Sequence, residues 1–334
     1  MTAASAASER GDGPPMASDE TDIGPVGAAH VPVLEGQVVG GLRPRPGARL
    51  VDATIGLGGH AAALLAAAPD TRLLGIDRDP SALASTRARL AAYGDRVVLR
   101  HGSFAALRAH LDAVGWDAAD AIVVDLGVSS LQLDDPTRGF SFRAAGPLDM
   151  RMDPGAARSA AALVNQSDER ELARVLHDYG EEPRARAIAR AIVRARPLDS
   201  TAALADLVAR VVGRGKPGRH PATRTFQALR IAVNEELAAL DALLERGWEW
   251  LRPGGRLAIL AYHSLEDRRV KTAFRRWAAS CLCPPHVPRC VCGWSAKVRL
   301  VTTKALVPDA DEVARNPRAR SARLRIVERL ATTP

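Results

Sequence analysis

Three aspartates stand where short apolar runs end: Asp52 after Leu50-Val51, Asp77 after Leu73-Leu74-Gly75-Ile76, and Asp125 after Ile122-Val123-Val124. A carboxylate leaving a buried run is costly unless it has a partner or a task. Between the first two lies a glycine turn, Gly56-Leu57-Gly58-Gly59-His60-Ala61, which opens into an alanine- and leucine-rich stretch. Such a turn lets backbone N–H groups approach a nucleotide-like ligand, and the helix N-terminus adds further donors. Asp77 follows Gly56 by 21 residues, the distance at which an acid meets ribose hydroxyls in α/β folds. The ligand implied is a nucleoside cofactor. The turn also satisfies G-x-G-x-x-G/A, so a nicotinamide-dependent oxidoreductase is a rival reading. The plainer alternative is that the glycines only ease the packing of a helix on its strand.

More polar groups gather at the ends of other apolar runs. Arg100-His101-Gly102-Ser103-Phe104 could bracket a flat base by hydrogen bond and stacking, although Phe104 alone reads as core. Asp125 is followed by Gly127, Ser129, Gln132 and Asp134, and a later run delivers Tyr262, His263, Ser264, Glu266 and Asp267. Two polar clusters at adjacent strand ends argue for an active site more than either does alone. The four cysteines form Cys281-x-Cys283 and Cys290-x-Cys292, with His286 between. Structural zinc sites usually space their ligands C-x₂₋₄-C, so this pattern reads first as reduced thiols in a loop, with zinc as the alternative.

The elements that must hold these residues alternate. Strands near LVDAT, LLGID, VVLRH and AIVVDLGV are separated by helices near 60–68, 80–93 and 104–113, which implies a doubly wound parallel sheet. From about 135 to 250 the strand signal stops, and four helical stretches follow. Strands return at GGRLAILAYHS, VRLVTTK and ARLRIVERL. The chain is therefore read as α/β, with one domain built from 30–135 and 250–334. An all-helical substrate-recognition insert spans 136–249, above the strand ends where open sheets bind ligands. Residues 1–29 read as a disordered tail.

Composition bounds the partners. A chain with 47% hydrophobic and 25% charged residues is globular, and no apolar run approaches the ~20 residues of a membrane span. The first 29 residues lack the basic start and apolar stretch of a secretion signal, and the few cysteines make no disulfide framework, so a cytoplasmic setting is expected. The tail carries five acids and one arginine, a balance of −4, leaving +12 of the net +8 to the rest. Between Leu207 and Asn234 there are six Lys or Arg residues and no acid, and from Ser264 onward 15 bases face six acids. Basic stretches of this kind suit a polyanion, and the glycine- and proline-containing loop at 213–224 suits a phosphate backbone. A solvated arginine-rich surface is the alternative.

HVPVLEG, DATIGLGGH, GIDRDP, DLGVSS with QLDD, RGFSF, GPLDMRMDP, HPATRTFQALRIAVNEEL, LAYHSLEDRRVK and ARNPRARSARLRIVERL together resemble the bacterial small-subunit ribosomal RNA cytosine-N4 methyltransferase family. The resemblance runs from His30 to about Leu330. It implies a class I methyltransferase-like sheet and transfer of a methyl group from S-adenosylmethionine to the exocyclic N4 of one decoding-region cytosine. The partner implied is 16S ribosomal RNA in the small ribosomal subunit. Carried onto this sequence, the family's cofactor contacts fall on Gly58, Gly59, His60, Asp77, Phe104, Asp125 and Gln132.

The chemistry expected is in-line displacement at a sulfonium methyl. Asp125, Ser129 or a backbone carbonyl would draw on the amino protons, and His263 would take up the released proton. Tyr262 and Trp294 could hold an unstacked base. No thiolate nucleophile is needed at an exocyclic amine, which counts against a ring-carbon methylating enzyme. An RNA-binding assembly factor without catalysis is the rival from another class, and the intact glycine, Asp77 and Asp125 positions speak against it.

Overall fold

The computed structural model describes residues 32–213, 220–284, 287 and 289–331. The acidic tail at 1–29 and half of the basic loop at 213–224, residues 214–219, lie outside the described residues. The described residues belong to one compact unit.

Seven strands form one sheet: β1 (Arg49–Asp52), β2 (Arg72–Asp77), β3 (Val97–His101), β4 (Ala119–Asp125), β5 (Leu251–Ala261), β6 (Val298–Leu300) and β7 (Arg323–Arg329). Their order is β3-β2-β1-β4-β5-β7-β6. The first five run parallel, and β7 is antiparallel to both β5 and β6. The order reverses between β1 and β4, so the crevice where such sheets bind ligands opens beyond Asp52 and Asp125.

Alternation along the strands divides the core. Val51, Leu74, Ile76, Ile122, Val124, Leu257 and Ile259 face one side. Leu50, Leu73, Ala121, Val123, Ala258 and Leu260 face the other. The second face is covered by α1 (Glu35–Leu42), α2 (Gly59–Ala67) and α3 (Pro80–Arg89). Pro80 fits the first turn of α3 because its missing N–H would have no partner there, and Asp79 caps the helix by accepting from Ser81 N. The first face is covered by α4 (Leu107–Asp112) and by two later helices.

After the short α5 (Ser130–Asp134) the chain enters the helical segment: α6 (Ala160–Gln166), α7 (Glu169–Gly180), α8 (Ala185–Ala195), α9 (Thr201–Val212) and α10 (Thr223–Asn234). In α8, Ala185, Ile188, Ala189 and Ile192 are buried, the three-and-four spacing of one helical face. These helices share a core of their own with Phe140, Leu148, Met150 and Met152. Sequence places α11 (Glu236–Arg246) in the insert, yet its Ala239, Leu240, Leu243 and Leu244 pack with the sheet. The changeover is Glu235, whose left-handed backbone (φ 50°) breaks what reads as one long helix. Last come α12 (Ser264–Ala278), which buries Val270, Phe274 and Trp277 against the sheet and Leu265 against Ile231 and Leu237, and α13 (Ala310–Arg315).

Candidate active site at the strand ends

The glycine turn leaves β1 and enters α2 through Gly58, whose φ of 74° no side chain adopts cheaply. No side chain caps this helix, so its first N–H groups remain directed at the crevice. His60, in the first turn of α2, is buried, and its Nε2 lies 3.5 Å from Asp125 Oδ2. That is an ion-pair distance and too long for a strong hydrogen bond. His60 Nδ1 has no hydrogen-bond partner among the described residues. Burial works against charge on this imidazole, but Asp125 and then Asp52 outweigh it and lift its pKa above the ordinary value. Asp52 is itself buried. Desolvation pushes its carboxyl up to about 7, against the pull of His60.

Asp125 is held from two further sides. Its backbone N–H donates to Thr54 Oγ1 (2.7 Å), and its Oδ1 accepts from the Tyr262 hydroxyl (2.7 Å). The Asp125 side chain keeps 26% exposure, enough to meet a substrate. Burial, with the adjacent Asp125 charge, raises the Tyr262 phenol well above its ordinary pKa, so it stays a donor. Asp52, His60, Asp125 and Tyr262 thus converge where the sheet order reverses.

Asp77 ends β2 and reads back onto the glycine turn: Oδ2 accepts from Gly56 N (2.8 Å) and Oδ1 from Asp79 N (2.9 Å). Burial raises its pKa, and the two backbone donors only partly offset this. Each carboxylate oxygen has a second lone pair, so both retain acceptor capacity for a vicinal diol. Phe104 is buried at the end of the core, with the Arg78 guanidinium 6.0 Å over its ring.

Other expected residues turn elsewhere. Gln132 closes a capping box with Ser129 and donates to the fully buried Asp79 (3.0 Å), which also pairs with Arg138 (2.8 Å). His263 caps α12, and its Nε2 lies 3.1 Å from Oε1 of the buried Glu266. Glu266 also accepts from Tyr262 N (2.8 Å), so this pair fixes the chain beneath Tyr262 and leaves Asp125 to the crevice. Ser264 donates to Glu181 (2.6 Å) and Asp267 accepts from Arg325 (2.7 Å), which ties both to the scaffold. Trp294 donates to Ala279 O beyond the far end of α12. Fifteen residues of helix put about 22 Å between that end and the Asp125 rim, so Trp294 is not assembled into the site.

Sequence reasoning missed what joins insert to sheet. Arg78 reaches from the end of β2 to Asn234 O and to Ser103 Oγ (2.6 Å). Asn234 accepts from Met152 N (2.7 Å) and donates to Met150 O (2.7 Å), which clamps the 149–153 turn to the end of α10. The signal available was Asn234-Glu235-Glu236 within an otherwise helical run. Asp79-Pro80 was likewise readable as a helix start.

The arrangement fits a nucleoside cofactor bearing a charged amino-acid moiety. Asp77 has free lone pairs for hydroxyls, Phe104 offers an apolar edge, and the open α2 N-terminus with the orphaned His60 nitrogen offers donors. The model of the MraW methylase family matches residues 27–330. The ribosomal RNA small subunit methyltransferase H of Thermomicrobium roseum is 53% identical over 311 residues, covering 92% of this chain and 95% of that protein. The protein of the same name from Geotalea uraniireducens is 50% identical over 307 residues, covering 90% and 98%. A crystal structure of an rRNA methylase from Streptococcus thermophilus aligns over 89% of this chain and 94% of that one, at 14% identity and a TM-score of 0.36.

Proposed function

This chain belongs to the MraW methylase family, and from that premise we propose that it methylates the exocyclic N4 of one decoding-region cytosine in 16S ribosomal RNA. The observation that carries this reading is Asp125, a partly exposed carboxylate at the sheet's switch point, aimed by Tyr262 and flanked by His60. S-adenosylmethionine, when bound, supplies a methyl group on a sulfonium, an electrophile that needs no metal or redox step.

The residues that would hold it are Gly58, Gly59, His60, Asp77, Phe104, Asp125 and Gln132. Asp77 would take the ribose hydroxyls and Phe104 would flank the adenine. Gln132 would act through Asp79, to which it donates. The lone pair of a cytosine amine is conjugated into the ring, which makes it a poor nucleophile. A carboxylate that accepts one amino proton draws the nitrogen toward tetrahedral geometry and aims the lone pair. Asp125 has that role, takes the proton released on methylation and returns it to solvent through its exposed edge. The Tyr262 phenol holds Asp125 in orientation. His263, bound to Glu266, positions Tyr262 and relays no proton in this scheme.

The insert accounts for RNA. Its helices rest beside the strand ends through the Asp79–Arg138 and Arg78–Asn234 links, so a base entering the crevice passes between insert and sheet. The test is incubation with methyl-labelled S-adenosylmethionine and small subunits lacking base methylation, followed by mass-spectrometric mapping. Label on N4 of a single decoding-region cytosine is expected. Label on a ring carbon, or cofactor binding with no label on any small-subunit RNA, would overturn the proposal.

A further inference from the structure

Between Ala278, the last residue of α12, and Val298, the first of β6, the described residues form no helix or strand. This segment's described residues also leave apolar side chains in solvent. Val291 is 83% exposed and Leu282 is exposed as well. A connection of this length without secondary structure needs something else to order it.

The four cysteine sulfurs supply it. Cys281 Sγ lies 3.3 Å from Cys290 Sγ and 3.7 Å from Cys292 Sγ. Cys290 Sγ lies 3.5 Å from Cys292 Sγ and 4.0 Å from Cys283 Sγ, and all four fall within 4.8 Å of one another. A disulfide requires about 2.05 Å, so none is formed. A zinc ion about 2.3 Å from each of four thiolates at tetrahedral angles sets their separation at ~3.8 Å, within the 3.3 to 4.8 Å range that these sulfurs span. The C-x-C spacing does not prevent closure, because the two pairs come from opposite limbs of the segment and face each other.

The backbone is arranged for thiolates too. Cys283 N donates to Cys281 Sγ (3.3 Å), Leu282 N to Cys292 Sγ (3.4 Å) and Val291 N to Cys283 Sγ (3.4 Å). N–H donors aimed at sulfur stabilise charge left on a metal-bound thiolate, as outer partners do at metal sites generally. His286 lies outside the described residues, and four sulfurs complete a tetrahedral shell without it.

We propose that Cys281, Cys283, Cys290 and Cys292 bind one zinc ion as a closed structural site that clamps the 279–297 segment between α12 and β6. Binding releases the thiol protons to solvent and forms four Zn–S bonds, with no change of oxidation state. The site has no open position for substrate and stands a helix length from Asp125, so it supplies order and no chemistry. What it orders is the Trp294 platform, over which Arg276 and Lys297 lie at 5.9 and 5.2 Å.

The test is elemental analysis of the full chain purified under reductant, without chelator or added metal. About one zinc per chain is expected, with the thiols silent to a thiol reagent until the metal is stripped. Cobalt substituted for zinc should give the visible absorption of a tetrahedral thiolate complex. Cys290→Ser, which removes the most central sulfur, should weaken zinc retention about 100-fold or more. If that variant fails to fold, the metal content of the unaltered chain still decides the matter. Metal-free protein with four reactive thiols, a mass deficit that reports disulfides, or iron in place of zinc would each overturn the proposal.

Discussion

The two ends of α12 are held by opposite means. At its N-terminus, the half-buried His263 pairs with the buried Glu266, which fixes the chain at Tyr262 by accepting from its backbone N–H. At its C-terminus the chain leaves the core and gathers four sulfurs at the surface. The first end can afford buried carboxylates because sheet, α2 and insert over-determine their positions. Beyond Trp277 the second buries little apolar surface among the described residues, and the zinc proposed there would supply coordinate bonds instead. An active site can thus be built from groups that each cost stability, provided the cost falls on the best-packed part of the fold.

The comparison breaks most sharply at Asp125. Asp125→Ala should lower turnover by about 1,000-fold or more, the range expected for loss of a positioned proton acceptor. Asp125→Asn, which keeps an acceptor oxygen and loses the charge, should recover cofactor binding before it recovers rate. Single-turnover rates and cofactor titration of both variants separate the two roles. A rate within tenfold of the unaltered chain for either variant would remove Asp125 from the chemistry.

Next in size is the joint between insert and sheet. Asn234→Ala leaves Met152 N–H and Met150 C=O buried without partners, at about 1–3 kcal/mol for each group. A loss of about 3 kcal/mol in urea denaturation is expected. The affinity for RNA should fall more than the affinity for the cofactor, since the joint holds the insert. A variant as stable as its parent would show that packing and the Arg78, Arg138 and Glu181 links hold the helical segment without this clamp.

Tyr262→Phe tests orientation in isolation. The ring and its burial remain while the hydrogen bond to Asp125 goes, so turnover should fall about tenfold with little change in cofactor affinity. A fall in cofactor affinity with unchanged turnover would move Tyr262 from the proton acceptor to the ligand.

How much of this was legible in sequence follows from what each signal encodes. The strand-helix alternation and its interruption at 135 were readable because the apolar period changes there from strand to helix. Asp52, Asp77 and Asp125 were readable because a charge that ends an apolar run is costly. The partners of those charges were not. The pairing of His60 with Asp125 joins residues 65 apart, and that of Tyr262 with Asp125 joins residues 137 apart. Only the order of strands in the sheet brings them together. For the same reason the contacts of Gln132 with Asp79 and of His263 with Glu266 could not be read from the sequence. The α10–α11 boundary was hidden because Glu235 is a good helix former locally, yet its backbone is left-handed beside the Asn234 clamp on the 149–153 turn.

The smallest expected effect concerns what the buried end costs. Asp52 titrates at about 7 in the folded chain against an ordinary 3.8, so the folded chain binds a proton that the unfolded chain has released between those values. Stability therefore falls as pH rises through that window and is level above it. His60, with its pKa raised, runs in the same direction: its stabilisation is complete below 6.5 and fades as pH passes its folded value. Asp52→Asn keeps the shape and the acceptor for Thr54 N but has no proton to lose. Urea denaturation at pH 5 and pH 8 should show the variant gaining on its parent by on the order of 1 kcal/mol at the higher pH. Parallel pH profiles would mean that Asp52 is ionised throughout and that His60 neutralises it fully. The packed end of α12 would then carry no more electrostatic burden than the end held by sulfur.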